Sequence, residues 1–428
     1  MNKISNLIRL DKEYLAFCDA LSSAFSAKTP LPIVVNGLFG GAMNVFLSEA
    51  VRDAKERCKA PCLVLLPTEA ERRKTYEALT SLGVSCLEYK ERDFVFHNIS
   101  ASHDTERERL SVLHSVLMGE ASAVLTTPKA LLSYTMPIET LTKCTTKIKL
   151  GDEIEIRGLC EKISKMGYTR VDIVESFGQF ARRGDILDIW LGGEEYPTRI
   201  EFFGDEIDRL SHFDAITQRS IDTVNELLVL PASEVIFDKD AKDRVLSEID
   251  HLISKCEAGE ACDTLKRERA TVENALSLNS RDKYIYLCYA SHQTLLSYLF
   301  KSGRASVFIS DVNGVKEALK RHTDATQSAK SALVLKNLIS EKNARYSIKN
   351  DEYEQLLNSS VTVYLHPFAG GVDFIKSLGG LFGFSTRKTV AYGENPSMLK
   401  EDLISYRKSG YKTLLLCENT ASVKSLGK

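Results

Sequence analysis

Between Leu31 and Leu125 short apolar runs alternate with stretches of helical periodicity, and that rhythm leaves few folds open. "LPIVV", Leu31 to Val35, reads as a buried strand bounded by Pro and Gly. Ala42 to Cys58 then carries Val45, Phe46, Ala50, Val51 and Ala54 at helical spacing. Leu63 to Leu66 is the next strand. Thr68 caps the helix after it, and Glu71 three residues on completes a capping box. A helix following Asp104 sets Leu110, Leu113 and Leu117 on one side. Ala123 to Leu125 is a strand, and Thr127-Pro128 opens a short helix, where the missing proline N–H does no harm. Strands separated by helices predict an α/β fold with a mainly parallel sheet.

The rhythm breaks near residue 144. Residues 144–230 hold one clear helix, Leu159 to Met166, and are otherwise strand-rich, as expected of a small α+β insert. The α/β character returns over 231–366. It has a polar helical stretch (Ala241 to Ala275), a strand "YIYLCY" (Tyr284 to Tyr289), a helix from Ser291, and strands at Ala305 to Ser310 and Val361 to His366. "FAGG" and "SLGGLFGFS" read as a glycine-rich linker. "PSMLKEDLISYRKSGYKTLLLCEN" reads as a helix, a glycine stop and a strand that open a partial α/β domain over 380–428. The division is therefore 1–143, 144–230, 231–366 and 380–428, near the three domains that ~150 residues per domain implies. A last domain barely begun predicts a fragment of a longer protein.

Composition removes several functions. With 56 basic against 58 acidic residues the net charge is -2, so binding to nucleic acid or acidic lipid would need a local patch. The ten cysteines are scattered. Cys58/Cys62 and Cys256/Cys262 are close in sequence, but no second pair or His follows at zinc spacing, which points to reduced buried thiols in a cytoplasmic protein. No apolar run reaches the ~20 residues of a membrane helix, and the N-terminus has no signal core. No membrane partner is expected.

"NGLFGGAMN", Asn36 to Asn44, sits between a strand and a helix N-terminus, where P-loop proteins hold nucleotide phosphates. The working pattern G-x-x-x-x-G-K-[ST] uses its Lys on the terminal phosphates and its hydroxyl on magnesium. Laid on Gly37, it places Ala42 at the second Gly, Met43 at the Lys and Asn44 at the Ser/Thr. The turn glycines Gly37, Gly40 and Gly41 are kept, while the charge and the metal ligand are gone. The loop reads as a degenerate P-loop, in effect a tight strand-to-helix turn, and no metal or cofactor is expected here. "FGDEID", Phe203 to Asp208, lies in a strand-turn context and is no metal-binding carboxylate strand. No His-Glu-x-x-His cluster and no Gly-x-Ser-x-Gly elbow occurs.

"GQFARRGDILDIWLGGEEYPTRIEFFGDEIDRL", Gly178 to Leu210, presents something. Strand alternation puts Leu187, Ile189 and Leu191 on one face, with Ile186, Asp188 and Trp190 on the other. In the next strand Ile200 and Phe202 oppose Arg199, Glu201 and Phe203. Each strand thus pairs an apolar face with a mixed face carrying one aromatic among charges. Such aromatics suit a protein interface, or equally a second layer of packing over a helix. Arg170, Arg182 and Arg183 lie upstream. Asp172, Asp185, Asp188, Glu194, Glu195 and Glu201 dilute any positive stripe, so a charged protein fits better than a phosphate backbone.

"RRGDILDIW", "YPTRIEFFGDEIDRLSHFDAITQRSI" and "LLVLPASE" resemble the domain shared by the UvrB excision-repair helicases and the transcription-repair coupling factors. The family's Arg-Gly-Asp strand, Arg-(Ile/Val)-Glu-Phe-Phe-Gly-Asp-Glu-Ile strand and Phe-Asp-x-x-(Thr/Ser)-Gln-Arg turn correspond to Arg183 to Trp190, Arg199 to Ile207 and Phe213 to Arg219. Trp190 stands where the family has Phe. The degenerate P-loop, and "YKERDFVFHNISASHD" as a stretch too short for the DNA-clamping hairpin of UvrB, single out the N-terminal region of the coupling factors. The resemblance implies a UvrB-like, RecA-like P-loop core split by the insert. It implies docking to UvrA, without catalysis in this chain. Through parts beyond this chain it implies an ATP- and Mg-dependent DNA translocase that meets RNA polymerase and duplex DNA, with this module also contacting the motor. By position, Arg170, Arg183 and Glu201 match UvrA-binding sites; alternation adds Trp190, Arg199 and Phe203. The alternatives are a UvrB-like DNA-dependent ATPase and a nucleic-acid-binding module.

Overall fold

The computed structural model describes residues 8–366 except 59, 95, 97–103, 275–277, 279 and 302, and beyond them 375, 377–386, 392, 395–411, 413 and 415. They fall into two compact units divided between 385 and 386.

The chain opens the first unit with α1 (Lys12–Ser26), whose N-terminus is capped by the Asp11 carboxylate accepting from the Glu13 and Tyr14 amides. Then come β1 (Ile33–Asn36), α2 (Gly41–Arg57), β2 (Cys62–Leu65), α3 (Glu69–Ser81), β3 (Cys86–Tyr89), α4 (Asp104–Met118), β4 (Ala123–Thr126), α5 (Pro128–Leu132) and α6 (Ile138–Cys144). The insert supplies β5 (Thr146–Lys149), α7 (Ile156–Lys165), β6 (Thr169–Arg170), β7 (Gln179–Arg183), β8 (Ile186–Ile189), β9 (Thr198–Phe203), β10 (Glu206–Phe213), β11 (Ser220–Thr223) and β12 (Glu226–Val229). The chain returns through α8 (Lys239–Lys255), α9 (Glu260–Glu273), a 3-10 turn (Arg281–Tyr284) running into α10 (Ile285–Cys288), α11 (Leu295–Phe300), β13 (Ser306–Ser310), α12 (Val312–Leu335), α13 (Asn350–Ser359), β14 (Val361–His366) and β15 (Gly380–Gly383).

Seven of these strands form one parallel sheet in the order β15-β1-β14-β13-β2-β4-β3. The strands from after the insert lie among those from before it: β14 pairs with β1 and β13 with β2. Neither half can close this sheet alone. Both faces are covered. Leu63, Leu65, Val124, Val307 and Ile309 join one apolar cluster, and their alternates Cys62, Val64, Ala123, Leu125 and Phe308 join the other. Burial on both sides explains the unbroken apolar runs.

The insert's six-stranded sheet has the order β11-β10-β9-β8-β7-β6, antiparallel except for the β6–β7 pair. Helix α7 buries Ile156, Leu159, Cys160 and Ile163, one stripe at helical spacing. These pack with Phe180, Leu187, Ile189, Ile200 and Leu210 in a core separate from the two above. Burying each such aliphatic side chain contributes about 1.5–3 kcal/mol. Entry strand β5 and exit strand β12 pair with each other, Lys149 opposite Glu226 and Thr146 opposite Val229. Just past the exit, Glu234 is wholly buried. Its carboxylate accepts from Arg109 Nε at 2.6 Å and from Thr135 Oγ1 at 2.6 Å, and Tyr289 donates to its carbonyl at 2.7 Å.

Some elements differ from the sequence reading. "YIYLCY" is not a strand. Tyr284, Ile285, Cys288 and Tyr289 are its buried positions, a helical and not an alternating pattern, and Glu268 fixes the turn by accepting from Tyr284 Oη and Lys283 Nζ, each at 2.6 Å. The stretch from Ala241 is two helices, broken over Cys256 to Gly259. Part of the supposed linker, Gly380–Gly383, is a strand that pairs in parallel with β1. "FAGG" and most of the last predicted strand lie outside the described residues. The capping box at α3 is half made: Thr68 Oγ1 accepts from the Glu71 amide at 3.2 Å, but its hydroxyl donates to the Glu71 carboxylate. In the second unit, α14 (Pro396–Lys408) begins with Pro in its first turn and an Asn395 cap on the Met398 amide.

Candidate interface on the inserted sheet

With α7 covering one side, the other side of the inserted sheet is open at Arg183 and Arg209 and buried at Ala181, Asp188 and Ser211. The pairing Arg183–Ile186, Ile186–Glu201 and Glu201–Arg209 lays one row across it, and Ala181–Asp188, Asp188–Arg199 and Arg199–Ser211 lay the next. The alternation expected for Leu187, Ile189 and Leu191 against Asp188 and Trp190 is the one observed, with the first three buried.

The expected site residues divide by what holds them. Arg183 is exposed at the end of β7, and its guanidinium donates from Nη2 and Nε to the Asp172 carbonyl at 2.9 and 3.1 Å, which orients it without neutralising it. Glu201 is half-buried in the same row, 3.7 Å from Arg209. Phe203 is 79% exposed beside the β9–β10 turn. Arg199 is spent on the fold: it grips Asp188 with two hydrogen bonds of 2.7 and 2.8 Å, donates to Gln218 Oε1 at 3.0 Å and covers the buried Phe213 ring at 4.4 Å. Asp188 raises its pKa through that hydrogen-bonded contact. Trp190 packs edge-on against Phe177 at 4.9 Å and donates from Nε1 to the Glu194 carbonyl.

Arg170 stands apart. In the parallel ladder it is level with Phe180, which belongs to the α7 side, and with Arg182 it acts electrostatically on Cys160 of that helix. Burial raises the Cys160 pKa, and the two arginines oppose the shift. The structure thus places Arg183, Glu201 and Phe203 on the open side and Arg170 on the helix side.

Sequence reasoning missed Ile216. It is 93% exposed on the turn after β10, where Asp214 accepts from the Ile216 and Thr217 amides and Gln218 adopts φ 59°. These backbone hydrogen bonds depress the Asp214 pKa, with that from Thr217 foremost. An apolar side chain held outward by a rigid turn is a preformed contact, and the Asp-x-x-Thr spacing was its available signal.

The glycine loop after β1 is the second expected site. Gly37 (φ 80°) and Gly40 (φ 53°) make the turn, and α2 starts at Gly41. A Cβ on Gly37 would collide with the Phe384 carbonyl oxygen. Phe384 donates its amide to Asn36 at 2.9 Å and sets its ring 5.3 Å from Phe46. Met43, at the position of the phosphate-binding Lys, packs on the apolar cluster with Phe384. Asn44 is half-buried on α2. The chain's own backbone occupies the space beside Gly37. Among the described residues no group of His, Cys, Asp and Glu could hold a metal, and no helix is long and apolar enough to cross a membrane.

Residues 146–235, the inserted sheet with α7 and its neck, match the UvrB interaction domain family. The transcription-repair-coupling factor of Bacillus subtilis is 27% identical over 309 residues, covering 70% of this chain and 26% of the relative. That of Staphylococcus aureus (strain USA300) is 24% identical over 330 residues, covering 74% and 27%. The chain resembles the N-terminal region of a transcription-repair-coupling factor. It spans about a quarter of the length of these relatives. The matched segment carries Arg183, Glu201, Phe203 and Ile216.

Proposed function

We propose that this chain is a docking module of transcription-repair coupling, and that the open face of its inserted sheet binds UvrA to bring nucleotide excision repair to RNA polymerase stalled at DNA damage. The observation that carries this reading is an exposed Arg183 and an exposed Phe203 on one side of the sheet within the stretch that matches the UvrB interaction domain. Arg183 supplies a charge that a partner carboxylate desolvates, and Phe203 an apolar anchor. Glu201 sets the register between them, while Arg199 and Trp190 hold the face rigid. Arg170 contacts UvrA only if the interface wraps around the β6 edge.

The chain itself performs no chemistry in this reading. The nucleotide-binding ancestry of the α/β body survives as shape in Gly37, Gly40 and Gly41, and the loop lacks Lys and Ser/Thr. ATP, Mg, duplex DNA and RNA polymerase engage other parts of a longer, cytoplasmic protein that translocates on DNA, and the module also contacts that motor. Calorimetry with purified UvrA tests the reading. Tight binding by the wild type and loss in a folded Arg183→Glu variant is the expected result; wild-type binding by the variant removes Arg183 from the interface. A rise in melting temperature with ATP and Mg that adenosine does not reproduce would instead favour a UvrB-like ATPase.

A further inference from the structure

A cleft of about 410 Å³ opens at the carboxyl ends of β2 and β4, distant in the sheet order from the glycine loop after β1. Open parallel sheets bind ligands at this edge, and the volume is that of a small-molecule site. Pro67 and Pro128 follow the two strands into it, the segment after β3 brings Phe94 and Phe96, and α12 closes one wall. The two phenylalanine rings stack at 5.8 Å with 18° between planes, and the Tyr346 ring lies 4.6 Å from Phe96. Phe94 and Phe96, both partly exposed, provide flat apolar surface, while Tyr346 is buried behind them.

Two polar atoms of the lining are buried without a hydrogen-bond partner among the described residues: Tyr346 Oη and His322 Nε2. Buried polar atoms are nearly always satisfied, so two orphans in one cleft mark a place for a ligand's donors and acceptors. The charges of the lining are already balanced. Lys129 lies 2.6 Å from Asp93 and 3.5 Å from Glu91, and Arg321 3.8 Å from Glu317. Burial, and then the Lys129 charge, keep His322 neutral. Nothing in the cleft selects a strongly anionic group.

We propose that this cleft binds an uncharged planar heterocycle with hydrogen-bonding groups on its edge, of the nucleobase or nucleoside class. The ring stacks on Phe96, and its edge takes up Tyr346 Oη and His322 Nε2. The site is separate from the inserted sheet, so it stands or falls apart from UvrA docking.

Isothermal titration of the whole chain with adenosine tests it. Saturable binding is expected, and ATP should bind no tighter than adenosine. Tyr346→Phe removes only an orphaned hydroxyl; it should keep the melting temperature and weaken adenosine about three- to tenfold. Phe96→Ala should weaken it about tenfold through lost stacking. The proposal is overturned if adenosine gives no saturable heat up to millimolar concentration. It is equally overturned if neither substitution changes the affinity, or if ATP binds where adenosine does not.

Discussion

In the parallel body, ionic groups lie beneath protein and answer one another: Arg109 with Glu234, Arg92 with Asp282, Lys283 with Glu268. In the inserted sheet Arg183 and Glu201 ride on an open face, while the stability of that sheet comes from the apolar side under α7. The same residue types therefore do different work. A buried ion pair contributes little net stability, because desolvation offsets its attraction, but it makes the loss of either partner costly. An exposed charge contributes almost nothing to folding and is free to serve a partner.

The sharpest way to break this contrast is Glu234→Ala. It leaves Arg109 buried and unpaired, and about 3–5 kcal/mol of stability should be lost in urea unfolding. Leu187→Ala, beneath α7, should cost about 2–5 kcal/mol and separates the insert's apolar side from its charged one. A pH series gives a smaller effect. Burial lowers the His322 pKa from 6.5 to about 4, so the unfolded chain takes up that proton first as the pH falls. Stability from this group is whole above pH 6.5 and declines toward pH 4, by an amount on the order of 2–3 kcal/mol, and His322→Gln should flatten the decline. Arg183→Glu should change stability least, within about 0.5 kcal/mol, while abolishing the proposed docking. If it unfolded the protein as Glu234→Ala should, the contrast between the two sheets would be wrong.

The α/β body was legible because its strands are buried on both faces and its helices carry clear stripes; Phe46, Ala50 and Val51 of α2 lie where the periodicity put them. Periodicity alone could not separate a short strand from a helical turn at Tyr284 to Tyr289, where Glu268, remote in pattern, decides the outcome. Nor could it find β15, since "GGLFG" is weak strand sequence that forms by pairing with β1. On the inserted sheet, alternation put Arg199, Glu201 and Phe203 on one side, but the turn at Gly184 left Arg183 unassigned; its side follows from the register with Ile186 and Glu201. Arg170 escaped it, because β6 is only two residues long and shows no alternation; its side follows from lying level with Phe180. That Arg199 is clamped by Asp188 follows from register, which a single strand does not contain.

The pairing of β5 with β12 has a consequence for how such a protein is assembled. Paired strands lie about 4.8 Å apart, so the chain leaves the body and returns to it at nearly one point. A host whose loop is cut at one point loses little when a folded unit is spliced in, and the unit brings its ends already joined. The segment from β5 to β12 is thus a portable cassette: excised at the neck and closed by a short turn, it should be transferable to another scaffold with its charged face intact.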